Sequence, residues 1–285
     1  MAIAAIQILN TVASLALISV GLAVIFGMMR VMNFAHGELL MLGAYSVQVA
    51  NASGINLWIS MFVMAPLFVG LVGILIERLV IRHLYGRMID TLLATWGLSL
   101  FMTGLITMIF GNVTRGLSTP LGSFELGGIR ESAYKFVIIG ATILVFIAIY
   151  LLLKRTRAGL IARATMDNPR QVAVMGVNPD YVYTATFAIG AALSGLAGAI
   201  MAPLTGVLPT MGAAYIGKAF ITVICGGDAI FAGTASAATL FGVINQVTTI
   251  TTTAEFGEVA LLLGALLMLR VLPSGLSSLY SKKAV

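Results

Sequence analysis

Long apolar segments alternate with short polar ones along almost the whole chain. A membrane-spanning helix needs about 20 apolar residues, because each residue adds about 1.5 Å of rise. By that length the pattern predicts nine candidate spans, at 7–29, 34–52, 57–80, 91–110, 134–153, 181–201, 212–226, 231–251 and 256–271. The span 34–52 begins with His36 and Glu38, and 212–226 is short and contains Lys218. Either of these two could be a broken or re-entrant element rather than a full crossing.

Composition places these segments in a membrane. Of the 285 residues, 60% are hydrophobic and 9% are charged, and the mean hydropathy is +1.06. So few charged side chains cannot cover a soluble protein of this size. We therefore expect an all-α polytopic membrane protein in a lipid bilayer, with eight or nine transmembrane or half-spanning helices in a single domain over 1–285.

Basic residues set the predicted orientation. They cluster in the loops 77–90 and 154–170 and in the C-terminal tail, and alternation of nine spans puts these on one side with Arg30 and Arg270. That side should be the cytoplasm, which leaves the N-terminus outside and the C-terminus inside. Because the charges lie in short loops and not in a stripe, we expect no nucleic acid partner. The first residues carry no basic segment, so we expect no cleaved signal peptide.

Two loops have distinct character. The segment 111–133 is the large outer loop, in which glycines and Pro120 surround short runs such as Ser-Phe-Glu-Leu at 123–126, and it predicts a short hairpin or irregular cap. In the loop 154–180, Asp167-Asn168-Pro169 offers an N-cap followed by proline at the first helical position.

A short cytoplasmic helix should follow that cap. The run Arg170-Gln171-Val-Ala-Val-Met175 makes about two turns, and Gly176 fits the left-handed residue after a helix end. Asn178-Pro179 then starts the next membrane helix. Such a short helix needs to dock against something in order to be stable.

Polar residues near the first two spans are candidates for a transport path. Arg30 belongs with the inner-face charges, so Asn33 is a predicted N-cap at the cytoplasmic boundary and Glu38 lies slightly deeper. A charge at the bilayer centre costs roughly 2.5–3.5 kcal/mol on insertion scales. We keep His36 and Glu38 as candidates for the inner gate of a path, against a structural role at the start of the helix.

Further polar residues lie inside apolar spans. Thr95 and the pair Asn245-Gln246 either hydrogen-bond between helices or line a polar path. The small residues of the last third favour close helix packing, with Gly195/Gly198 and Gly233/Ala237 suited to such contacts. Thr252-x-x-Glu255 fits a capping box that opens the last helix.

The sequence offers little support for a catalytic site or a metal site. No nucleophile, base and orienting group can be assembled, and His36-Gly-Glu38 lacks the cysteines that a zinc deaminase site would need. Cys225 is the single cysteine, so we expect neither a disulfide framework nor a cofactor. Gly212 to Ala219 resembles a P-loop but lacks its Ser or Thr, so Lys218 is expected to reach an interface or to line a wet path. Asp228 is expected to cap the next helix, or else to act in a gate or partner contact.

Two long motifs resemble a known family. The run Gly21-Leu-Ala-Val-Ile-Phe-Gly27, followed by Val31-Met-Asn-Phe-Ala-His-Gly-Glu-Leu-Leu-Met-Leu-Gly-Ala-Tyr45, resembles the N-terminal hallmark of LivH-type permeases. These are the membrane subunits of branched-chain amino acid ABC importers. Arg163 to Val177 is similar to the cytoplasmic loop of the same family. Where members commonly have a Gly-Gly-x-Gly-type turn, this chain reads Gly226-Gly-Asp-Ala-Ile-Phe-Ala-Gly233.

The resemblance implies that several different subunits carry out transport together. It implies a permease subunit, not an enzyme, in a bacterial inner membrane, with a second homologous permease, two cytoplasmic ATP-binding subunits and an extracytoplasmic substrate-binding protein. The coupling helix at 168–176 would then dock on an ATPase, through Asp167, Asn168, Pro169, Arg170, Gln171 and Gly176. Close relatives carry urea and short amides, and those substrates stay open. An ion-coupled secondary transporter that uses His36, Glu38 and Lys218 is the remaining alternative.

Overall fold

Helices account for almost all of the ordered secondary structure in a computed structural model of the chain, which describes residues 2–126, 129–227, 229–273 and 275–278. The elements are α1 (Ala2–Met29), α2 (His36–Ala52), α3 (Leu57–Ile59), α4 (Ala65–Leu79), α5 (Met88–Phe110), β1 (Ser123–Leu126), β2 (Ile129–Ser132), α6 (Tyr134–Arg155), α7 (Arg157–Asp167), α8 (Pro169–Val174), α9 (Pro179–Thr205), α10 (Met211–Gly226), α11 (Ile230–Thr251) and α12 (Ala254–Val271). A π-helical turn, Ser60–Met64, joins α3 to α4, and a 3-10 turn, Ile81–Leu84, precedes α5.

Each of the nine predicted spans coincides with a helix. Within the described residues, six helical stretches are long and apolar enough to cross a membrane: Ile3–Met29, Leu57–Leu79, Met88–Phe110, Tyr134–Arg155, Pro179–Thr205 and Ile230–Thr251. This confirms an all-α polytopic membrane protein. The helices α2 and α10 are unbroken and have 17 and 16 residues. At 1.5 Å per residue they extend about 24–26 Å, which is less than a typical hydrocarbon core of about 30 Å.

The chain divides into two compact units. The larger unit comprises Val20–Leu117 and Ile147–Ile216, and the smaller unit comprises Met1–Ser19, Ser118–Phe146 and Gly217–Val285. The larger unit holds α2, α4, α5, α7 and α8, whereas the smaller unit holds the hairpin, α11 and α12.

Close backbone approach builds the larger unit. A side chain at Gly43 of α2 would overlap the backbone of Gly195, and one at Gly198 would overlap the backbone of Leu40. The small residues of α9 therefore bring it into direct backbone contact with α2, as predicted. Beside this contact, buried apolar side chains that include Leu39, Val69, Met102 and Phe187 form the core of the unit.

The smaller unit contains the predicted outer hairpin. Strands β1 and β2 pair antiparallel, with Phe124 opposite Glu131 and Ser123 opposite Ser132. Glu131 forms an ion pair with Lys135 at the start of α6 and accepts a hydrogen bond of 2.6 Å from Gln7 Nε2 of α1. The hairpin is thereby fixed to two helices of its own unit.

Two expectations for the loops need revision, and a third is not tested. The segment 157–167, treated as loop, is the helix α7, whose N-cap Thr156 accepts a hydrogen bond from Gly159 N at 3.0 Å. The capping box at Thr252 is wrong, because α12 begins at Ala254 after Thr253, and the Thr253 hydroxyl binds the Glu255 carboxylate instead. The expectation for Asp228 lies outside the described residues.

Candidate functional site

Asn33, His36, Glu38 and Thr95 come together in the larger unit, at the start of α2. All four are buried, with at most 5% of each residue exposed. Asn33 is not the N-cap of α2, since the helix begins at His36 after Ala35. Asn33 Oδ1 instead accepts from Ala35 N at 3.0 Å and orders the turn before the helix. A cap at Asn33 would have required the helix to begin two residues earlier than it does.

Two of these side chains connect neighbouring segments. Nδ1 of His36 lies 3.1 Å from the Ser194 hydroxyl of α9, so this histidine joins α2 to α9. Thr95 Oγ1 of α5 accepts from Phe34 N at 3.1 Å. Hydrogen bonds of this kind satisfy buried polar groups and hold the start of α2 between α5 and α9.

Glu38 differs from its neighbours because its hydrogen bonding is incomplete. Oε1 accepts a long bond of 3.5 Å from Thr103 Oγ1 of α5, the Ser99 side chain of α5 also lies beside the carboxylate, and Oε2 has no partner within normal hydrogen-bond geometry. The Tyr45 hydroxyl and Gln48 Oε1, two and three turns along the same helix, are also buried without a partner. Residues 38, 45 and 48 share one helical face. This face of α2 thus carries three buried polar atoms without a hydrogen-bond partner.

The pair Asn245-Gln246 belongs to the smaller unit and not to this cluster. Gln246 Oε1 accepts a hydrogen bond of 2.6 Å from Thr11 Oγ1 of α1. This is the interhelical role that the sequence left open for Gln246. Lys218 also lies in the smaller unit, where its Nζ pairs with Glu258 Oε1 of α12 at 2.6 Å.

A buried carboxylate at the end of α4 has no counterpart among the residues singled out from the sequence. Glu77 is completely buried and accepts hydrogen bonds from the Tyr85 hydroxyl and from Thr184 Oγ1 of α9, the latter at 2.7 Å. Next to it, Arg82 forms an ion pair with Asp180 in the first turn of α9. Burial, and then the hydrogen bond to Glu77, raise the pKa of Tyr85, so its hydroxyl stays protonated and donates.

The short helix α8 has the predicted ends. Asn168 Oδ1 accepts from Gln171 N at 3.2 Å, Pro169 occupies the first turn, and Gly176 has φ +88°. Val172 is buried, but Val174 and Met175 are 90% and 83% exposed. The helix thus docks through one residue and presents an apolar pair to its surroundings.

Polar side chains on α8 and at the end of α7 are also exposed. Arg170 and Gln171 lie on its surface, and Asp167 is an exposed residue at the end of α7. An apolar pair surrounded by polar residues on a short helix is typical of a surface that enters a partner's groove.

The comparisons with known proteins cover nearly the whole chain. Residues 4–272 match the family described as branched-chain amino acid transport system / permease component. The chain is 27% identical to the high-affinity branched-chain amino acid transport system permease protein LivH of Salmonella typhimurium, over 92% of this chain and 90% of that protein. It is 28% identical to the permease protein BraD of Pseudomonas aeruginosa, over 80% of each chain.

A third relative is archaeal. The chain is 26% identical to a probable branched-chain amino acid transport permease protein LivH of Methanocaldococcus jannaschii, over 90% of this chain and 84% of that protein. No solved structure matches the chain. With a match from residue 4 to residue 272 and helices suited to a membrane, the chain is a multi-pass inner-membrane transport permease and not an enzyme, and it belongs to the family of branched-chain amino acid transport system permease components.

Proposed function

We propose that this chain imports branched-chain amino acids as one membrane subunit of an ABC importer, and that α8 couples it to separate ATPase subunits. The observation that carries the proposal is the exposed apolar pair Val174 and Met175 on a capped helix of the cytoplasmic segment. The substrate is proposed from the relatives, whose names specify branched-chain amino acids.

The proposed partners are the other subunits that an ABC importer needs. No group in the P-loop-like segment serves ATP hydrolysis, so the ATPases are two separate cytoplasmic subunits that receive α8. A second homologous permease completes the pore, and an extracytoplasmic binding protein delivers the substrate. The C-terminus lies inside, in agreement with the basic loops. The family match extends across both units, which supports a single permease domain over 1–285.

Coupling through α8 has a direct route to the membrane helices. The segment from Asp167 to Gly176 leads through Asn178, whose Oδ1 accepts from Asp180 N at 3.0 Å, into α9. Asp180 and Thr184 in the first turns of α9 bind Arg82 and Glu77. A movement of α8 is therefore transmitted as movement of α9 together with the end of α4.

We propose that the substrate path runs along the α2 face that carries Glu38, with Asn33, His36 and Thr95 beside it in the larger unit. The incomplete hydrogen bonding of Glu38 supports this assignment, because a buried carboxylate oxygen without a donor costs about 1–3 kcal/mol or more. A polar solute or water that passes along α2 would supply the missing donor.

Reconstitution of the complete importer tests the function. We expect leucine uptake into proteoliposomes that requires ATP and the binding protein, and that is not competed by urea or acetamide. Uptake driven by an ion gradient without ATPases would refute the ABC mechanism, and preferential urea uptake would refute the substrate.

Variants of α8 test the coupling. Val174→Glu should fold normally, retain less ATPase on co-purification and lose substrate-stimulated ATP hydrolysis, because it puts a charge into an apolar contact. Leu160→Glu, at an exposed apolar residue of α7, is the matched control. Arg170→Glu should act like Val174→Glu. Equal ATPase retention in all three variants would remove the coupling role of α8.

A Glu38→Gln variant tests the path. It keeps the shape of the side chain but removes the negative charge, so we expect assembly and ATPase binding to be normal while leucine uptake is lost. Full uptake by this variant would make Glu38 a residue of helix packing.

A further inference from the structure

A cavity of about 340 Å³ opens between α2, α4 and α5 in the larger unit. Its walls are mainly apolar and include Leu42, Val49, Met64, Phe68, Ile106 and Phe110. This volume lies at the lower end of the range typical of small-molecule sites, about 300–1,000 Å³. The cavity lies along the end of α2 that is remote from His36, and is therefore on the outer side in the proposed orientation.

One polar group inside this cavity has no partner. Tyr45 lines it, is 2% exposed, and its hydroxyl makes no hydrogen bond. A buried hydroxyl without a partner costs about 1–3 kcal/mol, which an acceptor on a bound ligand would offset. Ser46 and Ser53 also line the cavity, and their hydroxyls donate to Gly43 O and Val49 O of the same helix.

The positively charged side chain of Arg115 packs against Phe110, one of the residues that line this cavity. The guanidinium carbon of Arg115 is 5.6 Å from the centre of the Phe110 ring, and that ring is 4.7 Å from the ring of Tyr45. Among the described residues no carboxylate lies within ion-pair distance of Arg115.

The position of Arg115 is fixed by its backbone. Arg115 N donates to Val207 O at 2.8 Å and Val207 N donates to Arg115 O at 2.9 Å, so the loop after α5 is tied to the loop after α9. Its Nη2 also donates to Phe110 O at 3.1 Å. The neighbouring Gly206 has φ +72° and packs against Thr114, which makes this close approach possible.

We propose that this cavity is an outer binding site for a small aliphatic carboxylate, in which Arg115 and the Tyr45 hydroxyl hold the carboxylate while the apolar walls take the branched side chain. Arginine is suited to the role because its planar donors match the two oxygens of a carboxylate. Leu42 and Ile106 supply the apolar contact, and the serine hydroxyls are acceptors for an ammonium group. Urea and short amides have neither the negative charge nor the branched chain that such a site selects.

The inference rests on the proposed function and names where the substrate is first held. It is tested in the reconstituted importer with ATPases and binding protein, by leucine uptake with Tyr45→Phe, Arg115→Gln and Arg115→Lys. Arg130→Gln, at an exposed arginine of β2, is the matched control. Affinity of the binding protein for the vesicles and basal ATP hydrolysis are measured in parallel.

We expect Arg115→Gln and Tyr45→Phe to lower leucine uptake at least tenfold, with binding-protein affinity and basal ATP hydrolysis unchanged. Arg115→Lys should restore part of the uptake, because it keeps the charge but not the planar fork. The control should behave like the wild type.

Three results would overturn the inference. Wild-type uptake by Arg115→Gln would show that the cation has no part in transport. A loss of binding-protein affinity equal to the loss of uptake would make Arg115 a docking contact. A loss that depends on the anionic lipid content of the vesicles would make the cavity a lipid site. If the wild-type importer itself fails to carry leucine, the proposed function fails instead.

Discussion

The backbone contact between α2 and α9 makes Gly198→Ala a quantitative test of the fold that holds Glu38. A Cβ atom at residue 198 would lie 2.5 Å from the carbonyl carbon of Leu40. Carbon atoms in contact are normally about 3.5–4.0 Å apart, so α2 and α9 would have to separate by about 1 Å. Overpacking of this kind costs about 1–3 kcal/mol, because backbone atoms cannot turn away as a side chain can.

A control isolates that packing cost. At Gly104 of α5 an added Cβ meets nothing within 4 Å, so Gly104→Ala should be neutral or gain up to about 1 kcal/mol of helix propensity. Gly198→Ala has the same propensity gain, so the free energy of unfolding should be about 1–3 kcal/mol lower for it than for Gly104→Ala. Denaturant titration of the purified protein in micelles, followed by circular dichroism, measures the difference.

The same substitution should also affect transport. A separation of α2 from α9 displaces the contact between His36 and Ser194, and with it the position of Glu38. We therefore expect reduced leucine uptake for Gly198→Ala and normal uptake for Gly104→Ala. If the two variants unfold with equal free energies, the close approach of these helices is refuted.

Three further predictions concern other parts of the molecule. Tyr85→Phe removes a donor from the buried carboxylate of Glu77, and should lower the free energy of unfolding by roughly 1.5–3 kcal/mol, less when combined with Glu77→Gln in a double-mutant cycle. The hydrogen bond from Lys135 lowers the pKa of Glu131 below 4.5, so its stabilisation is complete above that pH and is lost as pH falls through the lowered pKa. Unfolding measured from pH 7 to pH 3 should show this loss, and Glu131→Gln should remove it. Asn168→Ala should destabilise α8 by about 1 kcal/mol, seen as faster hydrogen exchange of 169–175 with the membrane helices unchanged.

Local signals in the sequence predicted the helices and the ends of α8. Backbone groups in lipid must be satisfied within helices, so apolar length alone located helices at all nine predicted positions. The cap at Asn168 and the glycine at 176 depend on residues within one turn, and are therefore visible without tertiary structure. The helix α7 was missed because it is short and amphipathic, so the length criterion for membrane spans does not detect it. Its N-cap is Thr156, and no Asn or Asp marks its start.

Tertiary contacts explain what the sequence did not reveal. Glu77 lies at the end of the predicted span 57–80 and at the edge of the basic loop 77–90, and nothing in the sequence marked it as the buried residue that it is in α4. Its partner Thr184 is 107 residues away, and no local pattern joins the two. The cavity beside Tyr45 likewise depends on α2, α4 and α5, and on the pairing of Arg115 with Val207.

Asn33, His36 and Glu38 look alike in the sequence, but their hydrogen-bond partners in the structure differ. Asn33 orders the turn before α2 and His36 contacts Ser194 of α9, so both have structural partners at the start of the helix. Glu38 is equally buried, but one of its oxygens has none. A fold gains no stability from leaving a buried carboxylate unsatisfied, so packing alone does not account for Glu38. The gate stays a prediction for both residues, and uptake by the Glu38→Gln variant tests it for the one whose hydrogen bonding is incomplete.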